Sequence, residues 1–176
     1  MKKSQNIVKT VLLLTIFTLF SGSIAWGQKV TQQSSSTVTT TNTDATFIDA
    51  NGKKVTLSSL KGKVVFVNFW ATWCGPCIQE MPSIQALKNK MKKKNVVFLL
   101  VDIDGKYDKS KAFMDKKGFD LPVYIPGGNI PSTYLGTSIP TTVIFDKKGN
   151  MIQRIVGGVD YDSKEVEEFM NKVLAL

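Results

Sequence analysis

The sequence predicts an α/β fold for residues 46–176: a mixed central sheet with helices on its faces, in three layers. Three observations predict it. Val64–Trp70 and Val96–Val101 are near-continuous apolar runs of strand length, as expected for central strands covered on both faces. Between them, from Gly75 to about Met91, the pattern turns helical. Two adjacent strands and an amphipathic helix then close the chain, so the element order is βαβα…ββα.

The first 45 residues stand apart. Lys2, Lys3 and Lys9 precede the apolar run Val11–Phe20, and Gly22–Gly27 ends it with small residues, the pattern of an export signal over residues 1–27. The run is about half the length of a membrane span, so cleavage after Ala25 or Gly27 is expected, with an uncleaved anchor as the alternative. No cysteine lies there to carry a lipid. Residues 28–45 are nearly all Ser, Thr, Gln and Asn, which predicts a flexible tether. The domain is expected to work outside the cytoplasm, periplasmic or otherwise extracytoplasmic, where a disulfide persists.

In Phe47–Leu57, Asn51-Gly52 separates two short β-prone pieces, a hairpin signal. Leu57–Leu60 makes a short turn ended by Gly62. After Val96–Val101, Asp108 is expected to cap a helix reaching Lys117, with Gly118 just past its end. Leu121–Ile125 reads as a short strand, Gly127-Gly128 as a break, and Asn129–Leu135 as at most a short helix. Thr141–Asp146 turns through Lys147–Asn150 into Met151–Val156. The last helix begins at Asp162, which makes a capping box with Glu165, and carries Val166, Phe169, Met170 and Val173 as an apolar stripe.

Composition excludes little. The hydrophobic fraction of 43% and charged fraction of 21% suit a soluble globular domain. The formal net charge of +9 divides into +3 for residues 1–45 and +6 for residues 46–176. A basic surface suits acidic partners or transient proximity to an anionic membrane, and otherwise simply aids solubility. No arginine-and-aromatic patch points to nucleic acid. The Lys88, Lys90 and Lys92–Lys94 cluster suits a helix C-terminus.

The chemistry is concentrated at Cys74-Gly75-Pro76-Cys77, which holds the chain's only two cysteines. Structural zinc needs about four N or S ligands, and this chain has no histidine, so no metal is expected. A purely structural disulfide would close too small a loop to restrict the unfolded chain much. Redox work is favoured. At a helix start, unpaired backbone N–H groups and the helix dipole favour a thiolate at Cys74, lowering its pKa from about 8.5. Cys77, one turn on, is placed to resolve a mixed disulfide. Pro76 lacks an N–H, which costs little in a first turn.

Phe69–Cys77 resembles the active-site segment of the thioredoxin superfamily, and Trp73-Cys74-Gly75-Pro76-Cys77 matches the thioredoxin motif. The export signal, the continuation Cys77–Pro82 and the insert before Ser138–Thr142 are more similar to the extracytoplasmic TlpA/ResA-like branch. The resemblance covers about Thr46 to Leu176. It implies a thioredoxin-like α/β/α sandwich with an N-terminal β-hairpin and an insert before the cis-proline strand. It implies Cys74 as nucleophile, Cys77 as resolving thiol, and a cis bond between Ile139 and Pro140 beside the bound substrate chain. Trp73, Gly75 and Pro76 belong to the same docking surface, and Trp70 is expected to share it or to pack inside.

Glu80 falls within the apolar arc of Met81, Ile84, Leu87 and Met91, so its carboxyl should be desolvated and its pKa raised. One turn beyond Cys77, it can exchange a proton with the thiols, as in TlpA/ResA-like proteins; the alternative is a rim glutamate reaching solvent. Asn68 stands where cytoplasmic thioredoxins have a buried aspartate, and an amide cannot transfer that proton. Pro82 should kink the helix. The resulting expectation is an exported reductase of protein disulfides needing no cofactor, acting as a monomer and recharged by a membrane electron donor. Its use would be cytochrome c maturation or general redox homeostasis. An oxidase or isomerase, and a binding domain with an inert disulfide, remain the alternatives.

Overall fold

A computed structural model describes residues 44–176; the export segment and nearly all of the tether lie outside the described residues. The strands are β1 (Thr46–Ile48), β2 (Lys54–Thr56), β3 (Val64–Trp70), β4 (Val96–Asp102), β5 (Val123–Pro126), β6 (Thr141–Phe145) and β7 (Met151–Val156). The helices are α1 (Gly75–Lys90), α2 (Tyr107–Lys117) and α3 (Lys164–Ala175), with a 3-10 turn at Ser58–Leu60. All seven strands join one mixed sheet in the order β2-β1-β5-β4-β3-β6-β7. Asp44 and Ala45 already belong to this body, two residues before the expected boundary: Ala45 is fully buried and Asp44 accepts from Ser58 N at 2.8 Å.

β3 occupies the middle, parallel to β4 and antiparallel to β6, and all seven of its residues are buried. Its alternating side chains divide the core. Val64, Phe66 and Trp70 face one cluster with Cys74, Cys77, Met81, Ile84 and Leu87 of α1, Met114 of α2, and Met170 and Val173 of α3. Val65, Val67 and Phe69 face the other with Phe47, Leu99, Val101, Tyr134, Val143 and Phe145.

The layering differs from expectation in one respect. All three helices pack on the first face; the second is covered by Leu57 and Leu60, at the start and end of the 3-10 turn, and by Ile130, Tyr134 and Leu135 of the insert. The cause is topological. β3–α1–β4 and β4–α2–β5 step in the same direction across the sheet, and right-handed crossovers taken in one direction put both helices on one side. The insert forms turns rather than a helix, with Tyr134 N donating to the Pro131 carbonyl at 2.9 Å.

Local signals fared unevenly. The Asn51-Gly52 hairpin forms as expected, with Asp49 Oδ1 accepting from Asn51 N and Lys53 N. Gly118 ends α2 in the left-handed region at φ 72°. Pro82 sits inside α1, which continues through it to Lys90. Two caps move. Asp108 lies in the first turn of α2; Lys106 is at the cap position, and buried Asp102 accepts from Lys106 N and Ser110 Oγ instead. Ser163 caps α3, accepting from Val166 N, while Asp162 pairs with Lys90 at 2.9 Å. Ser163→Ala should therefore lower the unfolding free energy by about 1 kcal/mol. Asp162→Asn should stay close to the parent, and urea denaturation of the two variants checks the assignment.

Candidate active site at the end of the central strand

The site is built where β3 gives way to α1. Beyond Trp70 the chain turns, Cys74 N donating to the Ala71 carbonyl at 3.1 Å, and α1 starts at Gly75. Cys74 is the N-cap residue of α1, its extended backbone (φ −81°, ψ 100°) placing Sγ over the first turn. There Sγ accepts from Cys77 N at 3.2 Å. Cys74 and Cys77 are joined as a disulfide. In the reduced protein the same N–H and the helix N-terminus favour negative charge on Cys74 Sγ. Cys74 keeps 5% of its surface exposed and Cys77 1%, so Cys74 is the less covered of the two.

Gly75 and Pro76 are exposed beside it, and Trp73 is 63% exposed with its Nε1 donating to Asp104 Oδ2 at 2.9 Å. Trp70 does not join this surface. It is fully buried and packs on Phe113 with ring centroids 5.7 Å apart, because the strand pleat turns it toward α2. Ile139-Pro140 is cis, as the resemblance implied. The Phe69–Thr141 register sets this pair at the same end of the sheet as Cys74, and Gly157 N donates to the Pro140 carbonyl at 2.9 Å.

Beneath the disulfide lies a polar group of four side chains that the strand pleat brings together. Asn68 and Thr142 face each other across β3 and β6 and point to the helix side of the sheet, where α1 lays Glu80 over them. Asn68 Nδ2 donates to Glu80 Oε1 at 2.7 Å and to Thr142 Oγ1 at 3.0 Å, and Tyr161 Oη donates to the same Thr142 oxygen at 2.6 Å. Val159 N donates to Glu80 Oε2 at 3.3 Å. Both amide hydrogens of Asn68 are used, and its Oδ1 is buried without a partner.

Glu80 is 4% exposed, so the rim alternative does not hold. Burial pushes its pKa from 4.5 up to about 7, with the bonds from Asn68 and Val159 pulling the other way. Burial also raises the Tyr161 hydroxyl well above its ordinary value, so Tyr161 remains a proton donor. Outside the carboxyl, Pro76, Gln79, Pro82, Ser83 and the Gly158–Asp160 loop line a cleft of about 360 Å³. The loop is pinned to α1 by Tyr161 N donating to Ser83 Oγ at 3.0 Å.

The sequence singled out Glu80 and Asn68 but neither Thr142 nor Tyr161. A polar residue in the middle of an apolar strand signals that partners exist; their identity depends on strand register and on a loop 93 residues downstream of Asn68. Among the described residues no group of three or more His, Cys, Asp or Glu is placed to hold a metal ion.

The comparisons agree with this geometry. The family model described as Redoxin matches residues 33–171. The thiol-disulfide oxidoreductase ResA of Bacillus thuringiensis strain Al Hakam is 34% identical over 98% of this chain and 99% of its own. ResA of Geobacillus kaustophilus is 32% identical over 89% of this chain and 91% of its own. A crystal structure of a thiol:disulfide interchange protein of the thioredoxin family from Chlorobium tepidum superposes with a TM-score of 0.59 at 28% identity, covering 71% of this chain and 92% of that one. The thioredoxin domain of a Bacteroides vulgatus thiol-disulfide oxidoreductase gives a TM-score of 0.62 at 25% identity, covering 72% and 92%. With a Cys-Gly-Pro-Cys pair at the strand-to-helix junction of such a fold, this chain belongs to the Redoxin family, as a ResA/TlpA-like thiol–disulfide oxidoreductase of the thioredoxin superfamily.

Proposed function

We propose that this oxidoreductase runs in the reducing direction, outside the cytoplasm, on protein disulfides. The observation that carries this reading is the seating of Cys74 Sγ on the α1 N-terminus, with the buried Glu80 carboxyl one turn below Cys77. The Cys74 thiolate attacks one sulfur of a substrate disulfide, forming a mixed disulfide and releasing the other sulfur as a thiolate. Cys77 then loses its proton to Glu80 and attacks Cys74 Sγ. The second substrate sulfur leaves, two electrons have passed to the substrate, and the enzyme is left as the Cys74–Cys77 disulfide.

Trp73, Gly75 and Pro76 form one side of the docking surface, and Ile139 and Pro140 the other. The Pro140 carbonyl is engaged by Gly157, so the Ile139 backbone is the group offered to an extended substrate chain. The protein acts as a monomer, and a membrane-bound thiol reductant recharges it. No helix among the described residues is long and apolar enough to cross a membrane, so such a connection has to come from the donor or from the N-terminal segment. Cytochrome c maturation and general redox homeostasis are the two uses consistent with the family.

Cys74→Ser should abolish insulin-disulfide reduction; equal activity in variant and parent would leave only an inert disulfide. The reduction potential should fall near the roughly −270 mV of thioredoxin, and a value near −120 mV would reverse the proposed direction. Cys77→Ser should accumulate substrates as mixed disulfides through Cys74, detected as thiol-sensitive adducts.

Glu80 makes a further prediction. In the folded state it stays protonated to about pH 7, whereas the unfolded chain releases that proton near 4.5. Its contribution to stability is thus complete below pH 4.5 and is lost as pH rises to about 7, on the order of 3 kcal/mol. Glu80→Gln should remove this decline from urea-unfolding curves and alter the pH profile of Cys74 alkylation. Thr142→Val should instead shift the decline to higher pH, because Asn68, released from Thr142, no longer holds its N–H on the carboxylate.

A further inference from the structure

Three turns meet at the end of the sheet opposite the cysteines. Gly62 N donates to the Lys147 carbonyl at 2.7 Å, Asn95 Nδ2 to the Gly62 carbonyl at 2.7 Å, and Val64 N to the Asn95 carbonyl at 3.0 Å. These bonds gather Lys61 and Lys63, the run Lys92–Lys94, and the pair Lys147 and Lys148 onto one pole. Six of the seven are exposed and Lys147 is half-buried. Among the described residues none of them is in an ion pair.

The pole contains two acids. Asp146 is buried in its own turn, accepting from Lys148 N, Asn150 N and Asn150 Nδ2. Asp44 accepts from Ser58 N and Oγ. Apart from these seven lysines and two aspartates, residues 44–176 carry twelve cations and twelve anions, so the domain's whole positive excess sits here. The neighbouring end of α2 adds Lys116 and Lys117 against Asp115 and Asp120 and leaves that excess unchanged. At the cysteine end, by contrast, Asp104 and Asp160 flank the site. The seven residues of β3 separate the two ends by about 23 Å.

Chain entry falls at the same pole. Asp44 lines a cavity of about 270 Å³ together with Lys61, Lys148 and Gly149, so the preceding segment, with its apolar run at 11–20, joins the domain beside the lysines.

We infer that this lysine pole is a binding face for an anionic lipid surface, which turns the Cys74 end away from the bilayer. Each lysine within a Debye length of such a surface, roughly 8 Å, is attracted to it, and seven on one face act together. The chemistry favours lipid over nucleic acid. Lysines are point charges suited to a diffuse anionic plane, whereas phosphate forks and base stacking call for arginine and aromatic side chains. The chain's one arginine, Arg154, is committed to the carbonyls of Tyr134 and Leu135. The inference rests on the export reading, since the lipid face is an outer one, and not on the redox chemistry.

Sedimentation of the full chain with vesicles tests it, comparing phosphatidylglycerol–phosphatidylcholine mixtures with pure phosphatidylcholine. Insertion of the apolar segment and the attraction of Lys2, Lys3 and Lys9 to anionic lipid are common to every variant, so the change in the ratio of the two affinities from parent to variant isolates the charge of the pole. The triple substitution K92Q/K93Q/K94Q should lower that ratio at least tenfold. K106Q/K109Q/K111Q, equal in charge but on α2 and its approach, should change it less than twofold, and 0.5 M salt should abolish the preference. Both triples should reduce insulin at the parent rate in solution. A fluorophore on Lys93→Cys, with both native cysteines replaced by Ser, should be quenched by headgroup-linked quencher, while one on Cys74 in Cys77→Ser should not. Equal loss with both triples, no preference for the anionic vesicles, tighter binding to an oligonucleotide or polyglutamate than to the vesicles, or reversed quenching would each overturn the inference. Failure of the insulin assay with the lipid pattern intact would remove the redox reading and leave this one standing.

Discussion

The burial of β3 on both faces is the constraint from which the rest follows. Seven consecutive residues without solvent leave no place for an uncompensated charge, and six of the seven are apolar. The exception is Asn68, a neutral amide whose donors both find acceptors. The ionisable group at this end of the sheet is carried instead by α1, at Glu80, where the carboxyl has the protein on one side and the Gly158–Asp160 cleft on the other. The same strand fixes where the helix starts. β3 ends at Trp70, the turn at Ala71–Cys74 closes on itself, and Cys74 arrives as the cap of α1 with no further device.

The polar group under the disulfide shows how opposing terms set the carboxyl near neutrality. Desolvation is the larger effect and raises the pKa; hydrogen bonds to a charged acceptor, each worth about 1.5–3 kcal/mol, return only part of it. Asn68 can donate toward Glu80 because its other hydrogen is held by Thr142, and Thr142 in turn is held by Tyr161. The cost is visible at Asn68 Oδ1, buried without a partner. Rotating the amide would move the orphaned position to an N–H, usually the rarer state for a buried group, so the ionised carboxylate keeps its donor.

Much of this was legible in the sequence. The two-sided strands, the hairpin, the terminal helix, the cysteine pair and the burial of Glu80 follow from periodicity, turn residues and one motif, and the acid's displacement from position 68 from the family resemblance. Sequence and structure part where neighbours compete or where distant segments decide. Asp162 and Ser163 are adjacent and both fit as caps; Lys90, reaching over from α1, takes the aspartate. Asp108 lost its capping role because Asp102, eight residues ahead of Ser110, already organises the approach to α2. Trp70 could not be told from Trp73 by composition; the pleat sends one inward to Phe113 and leaves the other on the surface against Asp104. Thr142 and Tyr161 could be identified only once strand register was known.

The axis of β3 also keeps the two ends of the domain chemically independent. At about 23 Å the lysine pole lies well beyond a Debye length of roughly 8 Å from Cys74. Its charge therefore does not supply the stabilisation of the thiolate, which has to come from local sources: the α1 N-terminus and the Cys77 N–H. Nor does it tune Glu80, whose shift comes from burial and two hydrogen bonds within the site. Contributions so far apart are expected to add rather than couple. A domain of this kind can alter what it adheres to at one end without altering its reactivity at the other, because the buried strand between them transmits position and not charge.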